Sequence, residues 1–191
     1  MPSATLKIIL ASRSSRRAEL LTAAGIDFDV FAIDIDETPH AKEEPAAYVE
    51  RLALTKARVV FALKPGETVL GADTTVVLDG QILGKPADTA DATRMLRALR
   101  GRAHDVLTGV AVVGPAGVRS AVETTRVWIS AMTDEDISMY VASGQPMDKA
   151  GAYGIQGLAS RFIPRIEGSY TNVVGLPVAL VSSILELQVG K

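Results

Sequence analysis

The sequence predicts an α/β or α+β domain with a mixed sheet, and three observations carry that prediction. A nearly continuous apolar run, Leu6-Lys7-Ile8-Ile9-Leu10-Ala11, reads as a strand buried on both faces and is followed at once by a helix start. An Asp79-Gly80 pair between two apolar runs, Thr75–Leu78 and Ile82-Leu83, signals a tight hairpin. Between these lies an amphipathic helix opened by Pro45, with Val49, Leu52, Ala53, Val60 and Leu63 on one stripe. Strands and helices thus follow one another in mixed order.

The elements justify the prediction in turn. After the first strand, Ser14 or Ser15 can cap a helix that Gly25 ends. Three arginines within five residues, Arg13, Arg16 and Arg17, accompany Ser12 and Ser14 at this turn. A strand-to-helix turn presents backbone N–H groups and a positive dipole end, so this stretch suits an anion such as a phosphate; otherwise it is a solvated helix start. Asp27–Ile33 alternates as a strand with one wet face. Asp34, Asp36 and Glu37 then place three carboxylates in four residues, either an acidic loop or oxygen ligands for a hard divalent cation. Lys56 falls inside the apolar stripe of the long helix. It either snorkels to water or reaches into a site.

Thr68–Leu70 leads into the stretch Gly71–Pro86, whose hairpin would bring Asp73 and Lys85 to one end, as a surface ion pair or facing a charged substrate. Asp88 can cap a helix carrying Ala92, Met95, Leu96 and Leu99, with Gly101 as its stop and Arg94, Arg97 and Arg100 in solvent. Val106–Val113 and Val118–Ile129 read as two strands. His104-Asp105 resembles a general-base pair, but it stands at the start of an edge-like strand without a nucleophile, and the structural reading is favoured. Thr133 with Asp136 resembles a capping box for a helix through Ile137, Tyr140 and Val141. In Asp148–Gly157, three Gly and two Ala leave little side chain, which suits close approach of backbone to a ligand, or a flexible loop. The amide of Gln156 can both donate and accept, as reading a nucleobase edge requires. Ile163–Ile166 and Tyr170–Val174 read as a last hairpin turning at Glu167-Gly168-Ser169, and Pro177 opens a C-terminal helix with Leu180, Val181, Ile184 and Leu185.

Composition narrows the function classes. The 191 residues suit one domain, or one domain with two lobes. Apolar residues at 48% and charged residues at 22% describe a soluble globular chain. A net charge of −2 argues against a general nucleic-acid binder. The absence of cysteine removes disulfides, thiolate metal sites and a cysteine nucleophile, and two histidines do not make a multi-histidine metal site. Met1–Thr5 lacks a signal-peptide core, and no apolar run approaches the roughly 20 residues of a membrane span. A cytoplasmic protein is the expectation, with no nucleic-acid or membrane partner.

Read together, five motifs resemble the Maf family of septum-formation-inhibitor-like nucleotide pyrophosphatases. They are Leu10-Ala11-Ser12-x-Ser14-x-Arg16-Arg17-x-Glu19-Leu20-Leu21, Gly71-Ala72-Asp73-Thr74, Leu83-Gly84-Lys85-Pro86, Asp148–Gly157, and Gly168-Ser169-Tyr170-x-Asn172-Val173-Val174-Gly175-Leu176-Pro177. Together they span nearly the whole chain and are specific in combination. Ser15 stands where the family usually has Pro, a helix-start position that Ser also serves. The resemblance implies an α/β fold with a long curved mixed sheet flanked by helices and a cleft between two lobes, similar to the inosine-triphosphate pyrophosphatases. It implies a single domain over residues 1–191, hydrolysis of nucleoside triphosphates to monophosphate and pyrophosphate, a divalent cation (Mg2+ or Mn2+) and a homodimer. The loop around Gln156 is like that of the branch acting on dTTP and UTP, with modified pyrimidine nucleotides plausible as well. By the same resemblance, Asp73 matches a general base, and Arg16, Thr74 and Gln156 match positions linked to base specificity. Glu37, Lys56 and Lys85 match polar cleft positions. Glu37 and Asp73 would hold the metal, and Ser12, Arg13, Arg17, Lys56 and Lys85 the phosphates; whether Asp73 is base or metal ligand stays open. A role in cell-division arrest, with nucleotide bound as a signal and not turned over, is the competing expectation.

Overall fold

A computed structural model describes residues 7–188. The N-terminal residues Met1–Thr5 and Leu6, the expected start of the first strand, lie outside the described residues. Seven strands form one mixed sheet in the order β2-β1-β3-β5-β6-β7, with β4 paired to β3 off this path. Backbone contacts divide the chain into two compact units, and Asp73 and Thr74 are the residues at which β3 passes from the first to the second.

The first unit comprises residues 7–73, Thr108–Glu123 and 175–188. Its strand β1 (Ile8–Leu10) is parallel to β2 (Phe28–Val30) and to β3 (Val69–Leu78). Side chains alternate across a strand, so each face gathers its own core. Ile8, Leu10, Leu70 and Ala72, with Val110 and Val112 of β5 (Ala103–Gly114), pack with Leu21 of α1 (Ser15–Ala23). Val181, Ile184 and Leu185 of α6 (Val178–Gln188) complete that face. On the other face Ile9, Ala11, Val69, Ala111 and Val113 meet Ala53, Ala57 and Val60 of α2 (Pro45–Leu63). Burial on both faces explains why the first strand reads as a continuous apolar run. Leu63, expected on the buried stripe of α2, is exposed, because the helix ends there.

Two glycines set how closely α2 lies on the sheet. A Cβ at Gly71 would stand 2.2 Å from the Ala53 carbonyl oxygen, and one at Gly109 2.2 Å from that of Val49. The helix backbone therefore rests directly on β3 and β5, an approach open only to glycine.

The second unit comprises Thr74–Leu107 and Thr124–Val174. The Asp79-Gly80 hairpin joins β3 to β4 (Gln81–Leu83) in the register Leu78↔Gln81 and Val76↔Leu83. Asp79 at φ 52° and Gly80 at φ 77° are both left-handed, as a two-residue primed turn requires. Helix α3 (Thr89–Leu99) is capped by Asp88, whose side chain accepts from the Asp91 N–H at 2.8 Å. Helix α4 (Asp134–Ala142) carries the capping box between Thr133 and Asp136. Both helices bury their apolar faces (Met95, Leu96, Leu99, Ile137, Tyr140) with Val76, Leu78, Val106 and Val127. Strand β6 (Gly117–Trp128) pairs antiparallel with the short edge strand β7 (Arg165–Glu167).

The expected last hairpin does not form. Tyr170–Val174 is instead a short helix, α5. Ser169 Oγ accepts the Asn172 N–H at 3.2 Å and starts the helical turn. The buried Asn172 amide then donates to the Val106 carbonyl and to Thr125 Oγ1, both at 3.0 Å. Among the described residues no helix is long and apolar enough to cross a membrane.

Candidate active site

The first unit brings three of the expected site residues into direct contact. Lys56 Nζ lies 2.7 Å from Asp73 Oδ1 and 2.6 Å from Glu37 Oε1. Lys56 is buried, its side chain only 11% exposed, and Asp73 is nearly as enclosed at 13%, whereas Glu37 is half open to solvent at 51%. A buried ammonium without partners costs several kcal/mol, so the two carboxylates account for a lysine on an apolar stripe. The cation that Asp73 meets comes from α2. The β3–β4 ladder stops at Leu83, and Lys85 lies beyond it, exposed.

Glu37 sits in the acidic loop, and that loop is tied down by α2. Arg51 grips Glu43 through two bonds of 2.6 and 2.7 Å and donates to the Thr38 carbonyl at 3.2 Å. Glu43 Oε2 also accepts the His40 N–H at 2.9 Å. The Arg51 hydrogen bonds hold the Glu43 carboxyl down to about 2, well below the usual carboxylate range. Tyr48 OH donates to the Glu37 carbonyl at 2.9 Å, and its pKa is pushed up to about 12, by burial first and then by the charges of Asp73 and Glu37. Nothing in the sequence singles out Tyr48 and Arg51; their only signal is a position five to eight residues before Lys56 on the same helix.

The Ser/Arg turn divides its residues between inside and outside. Ser14 is the N-cap of α1, yet its side chain makes no capping bond; Ser12 Oγ accepts the Ser14 N–H at 3.3 Å instead. Arg17 is buried, donates from Nε to the Gly175 carbonyl at 2.8 Å and from an Nη to Ser12 Oγ at 2.9 Å. Burial lowers its pKa and the nearby Asp73 charge opposes that shift. Arg13 points outward in a bidentate pair with Asp34 at 2.8 and 3.1 Å. Arg16 is half-buried in the first turn of α1, and Thr74 is half-buried directly after Asp73.

Lys85 and Gln156 belong to the second unit, and both are exposed. The Gly84 carbonyl accepts the Gly151 N–H at 3.0 Å, so the turn carrying Lys85 is joined to the loop carrying Gln156. The close approach expected at Gly151 is made to protein: a Cβ there would lie 2.8 Å from a Val76 methyl. His104 does not stand at an edge: β5 is an interior strand. Its ring is buried and its Nε2 is 2.6 Å from Tyr153 OH.

As for a metal, the Glu37 and Asp73 oxygens that converge do so on the Lys56 ammonium, so a cation would be held by the remaining oxygens of these carboxylates and completed by substrate phosphates. Among the described residues no group of three or more His, Asp or Glu is placed to hold a metal alone.

Comparison with known proteins gives relatives in sequence and in fold. A dTTP/UTP pyrophosphatase of Geobacter metallireducens is 54% identical over 177 residues, 92% of each chain. One of Vibrio parahaemolyticus is 49% identical over 183 residues, covering 95% of this chain and 97% of that one. Two solved Ham1 proteins share the fold. That of Staphylococcus aureus has a TM-score of 0.53 at 18% identity over 94% of this chain and 98% of its own, and that of Coxiella burnetii 0.55 at 17% over 95% and 98%. Residues 7–188 match the Maf-like protein family, and the chain belongs to it.

Proposed function

We propose that this chain is a nucleoside triphosphate pyrophosphatase that hydrolyses dTTP and UTP to the monophosphate and pyrophosphate. The observation that carries the reading is the buried Lys56 between Asp73 and Glu37, in a chain half identical to enzymes of that name. Water attacks the α-phosphorus, a new P–O bond forms, the bridge to the β-phosphate breaks, and pyrophosphate leaves. Asp73, with Oδ1 on Lys56, uses Oδ2 to orient the water and take its proton. Lys56 and Lys85 offset the charge that gathers on the leaving pyrophosphate. Ser12, Arg13 and Arg17 at the start of α1 receive phosphate oxygens, Arg17 by holding Ser12 in place. Glu37, and Asp73 where it serves as ligand instead of base, would hold a Mg2+ or Mn2+ ion together with the phosphates. When bound, that ion neutralises phosphate charge and makes the α-phosphorus a better electrophile. Arg16, Thr74 and Gln156 select the base.

The test is incubation with a panel of nucleoside triphosphates and Mg2+ or Mn2+, following the phosphorus products. Pyrophosphate from dTTP and UTP is expected; single phosphate, or no turnover of any nucleotide, overturns the reading. Asp73→Asn should lower kcat at least about a hundredfold while the protein stays folded. Retained activity in that variant removes Asp73 from the chemistry.

A further inference from the structure

The loop that carries Gln156 is small in side chains yet bound at several points, and one of its anchors has no role in the chemistry above. Its backbone passes through two consecutive left-handed residues, Gly151 at φ 67° and Ala152 at φ 59°. Ala152 is fully buried, and a non-glycine residue in that conformation persists only where its surroundings hold it. Next, Tyr153 turns into the core, 5% exposed, with its hydroxyl on His104 Nε2 at 2.6 Å and its ring edge-on to the imidazole, the centroids 5.2 Å apart. The Gly154 N–H donates to Tyr140 OH at 3.3 Å, and the Leu158 N–H to Gln145 Oε1 at 3.2 Å. Gln156 stands exposed between these last two anchors.

His104 is an expensive choice for this position. It is 2% exposed, and its Nδ1 is buried with no hydrogen-bond partner. An apolar side chain would fill the space without leaving a polar atom unsatisfied. What an apolar side chain lacks is direction. Hydrophobic contact allows Tyr153 to slide and rotate, whereas one short hydrogen bond sets both its depth and its rotation. Only two residues separate Tyr153 from Gln156, so an error at the tyrosine is passed on to the amide.

We infer that the buried His104–Tyr153 pair is a positioning pair for substrate selection, holding the Gln156 loop in the one register that presents its amide to a pyrimidine base. This rests on the reading of the chain as a dTTP/UTP pyrophosphatase. Neither residue touches the nucleotide.

The experiment measures kcat and KM for dTTP, UTP and dGTP in the wild type, Tyr153→Phe, the double variant His104→Leu with Tyr153→Phe, and Gln156→Ala, with thermal melts of each. Tyr153→Phe strands both ring nitrogens of His104, so its melting temperature should fall. Its KM for dTTP should rise about tenfold, with kcat within about threefold, and its preference for dTTP over dGTP should narrow about tenfold, the equivalent of one lost hydrogen bond. The double variant leaves no polar atom stranded and should regain stability without regaining the preference. It also serves where Tyr153→Phe alone does not fold. Unchanged KM and preference in a double variant of normal stability would overturn the inference alone, and make the pair ordinary core. A wild type that turns over no nucleotide overturns the parent reading and the inference with it. So does Gln156→Ala with full selectivity, for the loop's part in that reading.

Discussion

At Lys56, packing and chemistry meet in one side chain. Its stem lies on the buried stripe of α2 between Leu52 and Val60, and its ammonium is shared by two carboxylates of unequal exposure. Removing the charge while keeping the length, as in Lys56→Met, leaves Asp73 and Glu37 facing each other. Because Glu37 is half in water, relaxation and solvation soften the cost, and a loss of about 1–2 kcal/mol is expected in a denaturant titration. Turnover should suffer more, by about a hundredfold in kcat/KM, since in the proposed mechanism the same ammonium offsets charge in the transition state. A variant that loses stability but keeps its rate would make Lys56 structural. Arg17 is the contrasting case: an arginine read from the sequence as a phosphate ligand spends two of its donors on the Gly175 carbonyl and Ser12. In the proposed mechanism its effect on phosphate passes through the serine.

At the level of elements, the site depends on how α2 is seated. Gly71 and Gly109 let the helix backbone rest on β3 and β5, and Gly71 is only two residues from Asp73. Gly71→Ala would force the helix outward, an overpacking that costs about 3 kcal/mol or more and shifts Lys56 from its carboxylates. A melt with a drop of several degrees, together with a larger fall in kcat than in KM for dTTP, is the expected pair of results; normal stability and rate would show that the helix seat is elastic. The acidic loop is the second element at stake. Arg51 joins Glu43 and Thr38 to α2, so Arg51→Gln should loosen Glu37 without touching it. The expected outcome is a several-fold higher requirement for Mg2+ in the pyrophosphate assay and a drop in melting temperature, since the pair that is broken is partly buried. An unchanged Mg2+ requirement would separate the loop clamp from the cation.

Over the whole molecule, the buried imidazole gives a pH signature of folding. Burial, with a smaller contribution from Arg126, lowers the His104 pKa from 6.5 to about 4. Between those values the unfolded chain takes up a proton that the folded chain refuses. Stability from this group is therefore complete above about pH 6.5 and is lost as the pH falls through about 4, near 2 kcal/mol of it by pH 5. Urea titrations at pH 7 and pH 5 should show that loss in the wild type and a smaller one in the His104→Leu, Tyr153→Phe double variant. Equal slopes in both proteins would assign the acid sensitivity to other groups.

Much of this was legible in the residues alone, because local rules govern it. The Asp79-Gly80 turn, the Asp88 cap, the Thr133–Asp136 box and the Pro45 helix start each depend on a few neighbouring residues, and each forms where expected. Lys56 stood out because a charge broke a periodic apolar pattern. Tyr170–Val174 was read as a strand because apolar residues in a short run fit either period, and only Ser169 and the bonds of Asn172 to β5 and β6 decide for a helix. The sequence by itself determined the family and the mixed α/β character, and it singled out Lys56, Asp73 and Glu37 as candidates. Only the tertiary structure decided their pairing. Asp73 meets Lys56 of α2, and Tyr153 meets His104 across 49 residues of chain. Such contacts depend on which strand a helix lies against and how closely, a distance set here by glycines with no side chain to announce it.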